Sequence, residues 1–308
     1  MKNSKEIAQF VTQEAISKRP AQLKMSDLKW KYLVRNILRA KNIMMTGDSG
    51  CGKTFASKEV SKALGREIFI FNLGATQDPR STLIGNTQFK EGEGTYFGES
   101  LFVKAIQTPN AVILLDELSR AHPEAGNILM PVLDEGQRYL RLDEHPDTPT
   151  IQVAEGVSFI ATANIGAEYT SARVMDRAMM DRFTIIEMDT LSQENELDLI
   201  KMLHPEIEDK HAKALSEISV ATRDNVKSND PSITTSISTR VALEAAGLVV
   251  DGFSLVEAAE VTIYPFFSAE GGNDSERAYV KKLVQKYVEV DEEKDLFENV
   301  NDDSSNPF

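Results

Sequence analysis

Short apolar runs alternate with amphipathic stretches through the middle of the chain. The runs that predict buried strands are Ile43–Met45, Ile68–Phe71, Ala111–Leu115, Val157–Ala161 and Phe183–Met188. Between the first two runs, Ala56, Val60, Ala63 and Leu64 share one helical stripe, and Gly65 is a stop signal for that helix. Strands that alternate with helices predict an α/β fold, with a five-stranded parallel sheet covered by helices on both faces.

Two segments do not follow this alternation. Gln88–Phe97 contains Gly92 and Gly94 between aromatic residues, and Tyr139–Val153 has a turn at Pro146 between two strand-like arms. Apolar arms joined by glycine or proline turns are typical of hairpins. The sequence therefore predicts two β-hairpins inserted into the alternating unit.

The flanking segments differ from the core in pattern and composition. Residues 1–24 are predicted to form an N-terminal helical extension to the α/β core at 25–190. Residues 191–290 show a helical pattern, which predicts a small all-helical domain, or lid. Residues 291–308 carry seven acidic side chains against Lys294, a composition typical of a disordered tail.

Composition limits the classes of protein and of partner. The chain of 308 residues has a net charge of -14, so a broad basic surface for duplex DNA is not expected. Its single cysteine excludes a disulfide framework and favours a reducing cytoplasm. Neither a signal peptide nor an apolar run of about 18 residues is found, so no membrane association is expected.

One glycine-rich segment carries a phosphate-binding pattern. Its residues are Gly47, Asp48, Ser49, Gly50, Cys51, Gly52, Lys53 and Thr54, which match G-x-x-x-x-G-K-[ST] between a predicted strand and a predicted helix. Glycines let backbone N–H groups turn towards phosphate oxygens, and the helix N-terminus favours negative charge. Lys53 would reach the β and γ phosphates, and the Thr54 hydroxyl would hold Mg²⁺. Cys51 occupies a free position and is interpreted as filler.

Polar residues end two of the predicted strands. Asp116 and Glu117 follow the apolar run at Ala111–Leu115, and Asn164 follows Val157–Ala161. Asp116 would orient Mg²⁺ or its water, and Glu117 would activate the attacking water. Asn164 would lie beside the tip of the first strand, so it is the candidate sensor of the γ-phosphate. Alternatively, Asp116 and Glu117 only mark the end of a strand, and Asn164 only belongs to a turn.

Arginines are concentrated before the fifth predicted strand. They are Arg173, Arg177 and Arg182. In a ring, one of them would cross to the neighbouring subunit's ATP and neutralise charge in the transition state, an effect worth about 10³ to 10⁵ in rate. The alternative is salt bridges to Asp176 and Asp181. Arg240, in the helical domain, could reach the same phosphate or could be an exposed helix residue.

These motifs together resemble an AAA+ ATPase of the MoxR-like group, closest to the ATPase subunit of aerobic cobaltochelatase and related bacterial and bacteriophage proteins. The resemblance covers about residues 25–285. It is carried by the Walker A loop, the box Leu114–Ala121, Asn164, Asp181-Arg182-Phe183 and Ser238-Thr239-Arg240. It implies a hexameric ring with ATP and Mg²⁺ at the subunit interfaces, and a bacterial or host cytoplasm. The preference for ATP over GTP comes from the resemblance alone.

The resemblance also implies a role for each matched residue. Lys53, Thr54 and Asp116 serve ATP and Mg²⁺, Glu117 is catalytic, Asn164 is sensor 1, Arg182 is the expected finger, Arg240 is sensor 2, and Asn72 is a switch that restrains Glu117. The sequence departs from the family at Pro131, which is expected to interrupt or kink the helix after the acidic pair. Whether Arg240 acts on its own subunit's ATP or on the neighbour's is open.

Three functions agree with these motifs. The first is a motor that remodels a client protein, often a von Willebrand A-domain partner in this family, with Phe89, Tyr96 and Phe97 either gripping the client or packing. The second is a chelatase-type motor for metal insertion. The third is a nucleic-acid motor or a nucleotide-dependent restriction subunit. The hairpins disfavour the third, because acidic residues such as Glu91 and Glu93 offset their basic ones and a strand-tracking channel should be basic.

Overall fold

The structure, a computed structural model, describes residues 3–90, 94–142, 149–164 and 175–299, with side chains through residue 288 except that of Lys90. The chain divides into two compact units, Met1–Thr190 and Leu191–Phe308. In the part of the chain that is described, no helix is both long and apolar enough to cross a bilayer.

Nine strands are described. They are Ile43–Thr46 (β1), Ile68–Asn72 (β2), Gly85–Lys90 (β3), Gly94–Glu99 (β4), Val112–Asp116 (β5), Tyr139–Arg141 (β6), Thr150–Gln152 (β7), Ser158–Ala163 (β8) and Thr184–Glu187 (β9). Five of them form one sheet in the order β2-β5-β8-β1-β9, and every pairing in it is parallel. The prediction of a five-stranded parallel sheet is therefore confirmed.

The α-helices of the first unit surround this sheet. They are Ser4–Gln9 (α1), Asp27–Leu38 (α2), Lys53–Ala63 (α3), Pro79–Leu83 (α4), Leu101–Gln107 (α5), Pro123–Leu133 (α6) and Arg177–Met180 (α7). The first unit also contains a π-helical turn at Phe10–Glu14 and 3₁₀ turns at Ile16–Lys18 and Leu118–Arg120. The helices of the second unit are Gln193–Leu203 (α8), Asp209–Val226 (α9), Thr239–Val250 (α10), Leu255–Thr262 (α11) and Glu276–Asn299 (α12).

The sheet separates two apolar clusters because successive strand residues point to opposite faces. Met44 packs with Phe102 and Phe159 on one face, whereas Ile43 and Met45 pack with the residues of the other cluster. All four residues of β1 are buried. This two-sided burial explains why the strands read as continuous apolar runs.

Both predicted hairpins are present. β3 pairs antiparallel with β4 from Gly85 opposite Glu99 to Lys90 opposite Gly94, and β6 pairs with β7 over Tyr139–Arg141. The first hairpin begins at Gly85, three residues before the predicted start. The connections at 91–93 and 143–148, which include Glu91, Glu93 and Pro146, lie outside the described residues.

The expected interruption at Pro131 is wrong. Helix α6 continues through Pro131 to Leu133, and the Asp134 N–H closes the last turn on the Met130 carbonyl at 3.2 Å. Proline lacks one backbone N–H. Pro131 therefore removes one hydrogen bond, the one that its N–H would have made to the carbonyl of Asn127 four residues earlier.

The last helix also differs from the prediction for the tail. Helix α12 runs to Asn299, through the first part of the segment whose acidic composition predicts disorder. Glutamate and lysine are good helix formers, and adding a turn to an existing helix avoids the cost of nucleation. The rest of the tail, 300–308, lies outside the described residues, and its disorder stays a prediction.

A buried ion pair ties helices together in the second unit. Arg223 donates to both carboxylate oxygens of Glu196, at 2.6 and 2.9 Å, and its side chain also reaches the Leu191 carbonyl at 3.1 Å. Glu196 is 0% exposed and Arg223 is 6% exposed. We expect Glu196→Ala to lower the free energy of unfolding of this unit by about 3–5 kcal/mol, because Arg223 would keep a buried charge without its partner. Chemical denaturation measures this.

The control is an exposed ion pair in the same unit. Lys201 and Asp209 lie 2.7 Å apart with side-chain exposures of 41% and 88%. We expect Asp209→Ala to change the unfolding free energy by about 0–1 kcal/mol, since solvent screens such pairs. Equal losses in the Glu196 and Asp209 variants would contradict the account of the buried pair.

Candidate active site

The segment Gly47–Thr54 runs from the end of β1 into the first turn of α3. Gly47, Gly50 and Gly52 have φ angles of 137°, 79° and 92°, in the region that favours glycine. A side chain at Gly47 would also collide with the Met188 carbonyl of the neighbouring strand end. The loop therefore depends on glycine at these positions, as the sequence pattern predicts.

Lys53 is the first residue of α3 and is 8% exposed. Its ammonium group donates to the carbonyls of Gly47 and Asp48, both at 2.8 Å. In the described part of the chain, α3 has no side-chain cap, so its first N–H groups can bind a phosphate. A buried cation and uncapped helix N–H groups thus converge on one loop.

Cys51 packs inside this loop at 9% exposure. Burial raises the pKa of its thiol, although the positive charge of Lys53 acts in the opposite direction. A protonated, buried thiol is a poor nucleophile. The interpretation of Cys51 as a packing residue agrees with this geometry. Asp48 and Ser49 complete the loop.

Thr54 and Asp116 meet at the carboxyl edge of the sheet. The Thr54 hydroxyl donates to the Asp116 carboxylate, at 3.0 Å to Oδ1 and 3.3 Å to Oδ2. Hydroxyl and carboxylate oxygens are the ligands that Mg²⁺ prefers. Together with the phosphate loop, this donor set fits a nucleotide with its magnesium ion.

Glu117 follows β5 in a left-handed backbone conformation, with φ 56° and ψ 39°. Its carboxylate accepts a hydrogen bond from Arg120 at 3.1 Å, and its N–H donates to the Thr162 hydroxyl at 2.9 Å. Left-handed conformations are rare for residues with a side chain and cluster at functional sites. The turn is therefore held by specific contacts on both its backbone and its side chain.

Among the described residues, Asn72 makes no hydrogen bond to Glu117. Its side-chain oxygen accepts from the Ala75 N–H at 3.1 Å and so closes its own turn. The Glu117 carboxylate accepts a hydrogen bond from Arg120 instead. The proposed Asn72 switch therefore stays a prediction for another state of the site.

The Glu117 side chain lies against Gly74, a residue that has no side chain of its own. A Cβ atom at Gly74 would come within 2.8 Å of the Glu117 Cβ and would overlap its carboxylate. We expect Gly74→Ala to lower kcat about tenfold or more with little change in nucleotide affinity, because small displacements of a reacting group are costly. Steady-state hydrolysis and a nucleotide titration measure both quantities.

Gly126 supplies the matched control for that substitution. A Cβ atom there would meet its nearest neighbour, Met179 Cε, at an ordinary 3.7 Å. The Gly126→Ala variant should therefore hydrolyse ATP at the rate of the unmodified chain. If Gly74→Ala does the same, the position of Glu117 does not depend on Gly74.

Asn164 follows β8 directly, and its placement agrees with the sensor prediction. Thr46 pairs with Ala163 in the sheet, so the next residues along are Gly47 of the loop and Asn164. The Asn164 N–H donates to the Ser119 hydroxyl at 3.3 Å. Its side chain makes no hydrogen bond to any residue that the structure describes.

The arginines have different surroundings. Arg182, the expected finger, donates to the Ala178 carbonyl at 2.6 Å, the Met130 carbonyl at 3.2 Å and Asp134 Oδ2 at 3.2 Å. Arg177 is exposed and has no side-chain partner among the described residues. Arg173 lies outside those residues. The neighbours Asp176 and Asp181 do not hold Arg182.

Arg240 belongs to the second unit, at the second position of α10. Its side chain is exposed and makes no hydrogen bond or ion pair with the described residues. The preceding residue, Thr239, is buried and lies 3.4 Å from Arg223 Nη2. The buried ion pair of Glu196 with Arg223 thus supports the start of the helix that carries Arg240.

Three residues of the first unit's site were not assigned from sequence: Gly74, Arg120 and Thr162. Arg120 lies three residues after Glu117, a spacing that places two side chains on one face of a helical turn. Gly74 and Thr162 carried no sequence signal, because their contacts with Glu117 depend on how separate strands pair.

The fold and the loop at its sheet edge together define a P-loop nucleotide-binding protein. The family described as AAA domain (dynein-related subfamily) matches residues 42–183, and the family described as CbbQ/NirQ/NorQ C-terminal matches residues 196–286. The chain belongs to the AAA+ ATPases of the MoxR-like group, and it is an ATPase.

Individual relatives agree with this family. The putative chaperone BssE of Thauera aromatica is 31% identical over 223 residues, which are 72% of this chain and 74% of that protein. The mitochondrial Lon protease homolog 1 of Dictyostelium discoideum is 30% identical over 193 residues, 58% of this chain but only 19% of that protein. A solved Thermotoga maritima RuvB mutant has a TM-score of 0.51 at 16% identity, over 79% of this chain and 73% of that chain, and so shares the fold.

Proposed function

We propose that this chain assembles into a ring, expected to be a hexamer, in which ATP hydrolysis between subunits drives remodelling of a partner protein. The observation that carries the proposal is the exposed aromatic surface of the β3–β4 hairpin. Phe89 is 76% exposed and Tyr96 is 45% exposed on this antiparallel hairpin. The putative chaperone among the relatives supports a protein client.

Each site residue has a proposed role in hydrolysis. The Gly47–Thr54 backbone and Lys53 bind the phosphates of ATP, and Thr54 with Asp116 holds Mg²⁺. The magnesium ion, when bound, neutralises phosphate charge during transfer. Glu117 orients and activates the attacking water, and Asn164 contacts the γ-phosphate. Because phosphoryl transfer needs little covalent help from a protein, positioning and charge dominate the rate.

The exposed Arg177 supports a site shared between subunits. An exposed cation without a partner in its own described chain is suited to neutralise a neighbour's γ-phosphate. Arg240 would contribute from the helical domain. In a closed ring each subunit would receive arginines from one neighbour and supply them to the other.

Arg138, which directly precedes β6, weighs against direct binding of nucleic acid. Arg138 donates to the Val157 carbonyl at 2.7 Å, and its guanidinium lies 5.3 Å from the centre of the Phe159 ring. Burial lowers the pKa of this guanidinium. A strand-tracking surface needs basic groups that are free to meet phosphates, and Arg138 is committed to the core.

A trapping experiment tests the proposed function. The Glu117→Gln chain should retain a partner in ATP and release it in ADP, and adding Phe89→Ala should abolish retention. Phe253→Ala is the control, because Phe253 is also exposed, at 47%, but lies in the second unit. A von Willebrand A-domain protein or a chelatase subunit in the trap would name the partner class. Recovery of nucleic acid without protein would contradict the proposal.

A further inference from the structure

We propose that Thr162 is a positioning residue that holds the magnesium aspartate and the catalytic glutamate in one fixed arrangement. The inference rests on the roles proposed above for Asp116 and Glu117. Thr162 is the fifth residue of β8, and only 2% of its surface is exposed. It is expected to contact neither ATP nor water, so it would act through the two acidic residues.

The Thr162 hydroxyl bonds to both acidic residues. It donates to Asp116 Oδ1 at 2.5 Å and accepts from the Glu117 N–H at 2.9 Å. A hydroxyl has one proton to donate, so it can hold one carboxylate and one N–H in this way but not two carboxylates. The short distance to Asp116 is typical of a hydrogen bond to a charged acceptor.

The contact with the Glu117 N–H matters because of the backbone conformation at Glu117. A residue with a side chain is less stable in the left-handed conformation than in the right-handed one, because its Cβ atom crowds the following carbonyl oxygen. Such a conformation persists only where surrounding contacts fix it. The bond to Thr162 fixes the peptide before Glu117, and the left-handed turn then directs the carboxylate over Gly74.

A second hydroxyl, that of Ser119, also connects β8 with the turn that follows β5. Whereas β8 supplies the hydroxyl of Thr162 to the turn, the turn supplies the hydroxyl of Ser119 to the N–H of Asn164, at 3.3 Å. Ser119 is 6% exposed. The two bonds cross-link the end of β8 to the acidic turn. Contact of Asn164 with a γ-phosphate would therefore be transmitted to Glu117 through this cross-link.

The Thr54 hydroxyl completes the network on the other side of Asp116. Both Thr54 and Thr162 donate to Asp116 Oδ1, at 3.0 and 2.5 Å. If Thr54 were to hold a Mg²⁺ ion instead of donating to Asp116, the hydrogen bond from Thr162 would still hold Asp116 in place. Loss of the Thr162 hydroxyl should therefore raise the Mg²⁺ requirement as well as lower the rate.

Ser158 provides a control for a purely structural role. It is the first residue of the same strand, it is fully buried, and its hydroxyl donates to the Ile37 carbonyl at 3.1 Å. It lies at the opposite edge of the sheet from the loop. Ser158→Ala and Thr162→Val each remove one buried hydroxyl from β8, but only the second touches the acidic pair.

The test measures kcat, the Mg²⁺ concentration for half-maximal rate, and the melting temperature in the full chain with ATP. We expect Thr162→Val to lower kcat and raise the Mg²⁺ requirement, each about tenfold, the loss typical of one hydrogen bond to a charged group. Thr162→Ser should stay within about threefold because it keeps the hydroxyl. Ser158→Ala should lower the melting temperature without changing the Mg²⁺ requirement.

The inference is overturned if Thr162→Val matches Ser158→Ala in kcat and Mg²⁺ requirement. If Thr162→Val does not fold, Ser119→Ala replaces it. That variant should lower kcat at an unchanged Mg²⁺ requirement, and an unmodified kcat would count against the cross-link. Normal hydrolysis by Glu117→Gln and Asp116→Asn would instead refute the proposed roles themselves, whatever Thr162 does.

Discussion

Glu117→Gln is expected to lower kcat by about 10²–10⁴-fold, the usual contribution of a positioned general base. The substitution keeps the size of the side chain and its hydrogen bond to Arg120 can persist, but the amide cannot accept a proton. The contacts of the phosphate loop and of Asp116 are untouched, so affinity for ATP should stay within a few fold. Steady-state hydrolysis and an equilibrium nucleotide titration separate the two effects.

Glu67→Gln is the matched control for this substitution. Glu67 is an exposed carboxylate directly before β2, at the edge of the sheet away from the loop. Its replacement should change neither kcat nor affinity. Hydrolysis at the unmodified rate by the Glu117 variant would show that another group activates the water.

Arg177→Ala is expected to lower the hydrolysis rate by about 10³–10⁵-fold, the range for an arginine that completes a phosphoryl-transfer site. The sequence motif assigns this role to Arg182, but Arg182 makes three hydrogen bonds within its own chain. Arg177 is exposed and makes none with the described residues. Arg182 would have to break these contacts to reach a neighbour, whereas Arg177 has none to break among the described residues.

The two arginines are separated by measuring rate and stability together. Arg182→Ala should lower the melting temperature, because Asp134 loses its partner, while Arg177→Ala should leave it unchanged. If Arg182→Ala lost all activity at unchanged stability while Arg177→Ala stayed active, the arginine that completes the neighbour's site would be Arg182.

Periodicity predicted most of the sheet because its strands are buried on both faces and therefore read as uninterrupted apolar runs. The phosphate loop could be predicted for a different reason, because its glycines are required by local backbone geometry. The acidic tail shows the opposite case. Composition alone indicated disorder, but the preceding helix α12 extends to Asn299 because propagation costs less than nucleation.

The sequence could not predict the contacts that position the acidic pair. Thr162 lies 46 residues from Asp116 along the chain, and their contact depends on the register between β5 and β8. Arg182 likewise reaches the Met130 carbonyl across 52 residues. A motif gives the identity of such residues, but only the tertiary structure shows whether a side chain is free or already bonded.

The claim that each site is shared by two copies of the chain is tested most directly by mixing two inactive variants. Lys53→Ala disables the phosphate loop but keeps the arginines, and Arg177→Ala does the reverse. Random assembly at equal amounts should restore about a quarter of the sites, each with an intact loop beside an intact arginine. Hydrolysis in the mixture should therefore rise far above the sum of the separate variants. A rate equal to that sum at every mixing ratio would contradict a site shared through Arg177.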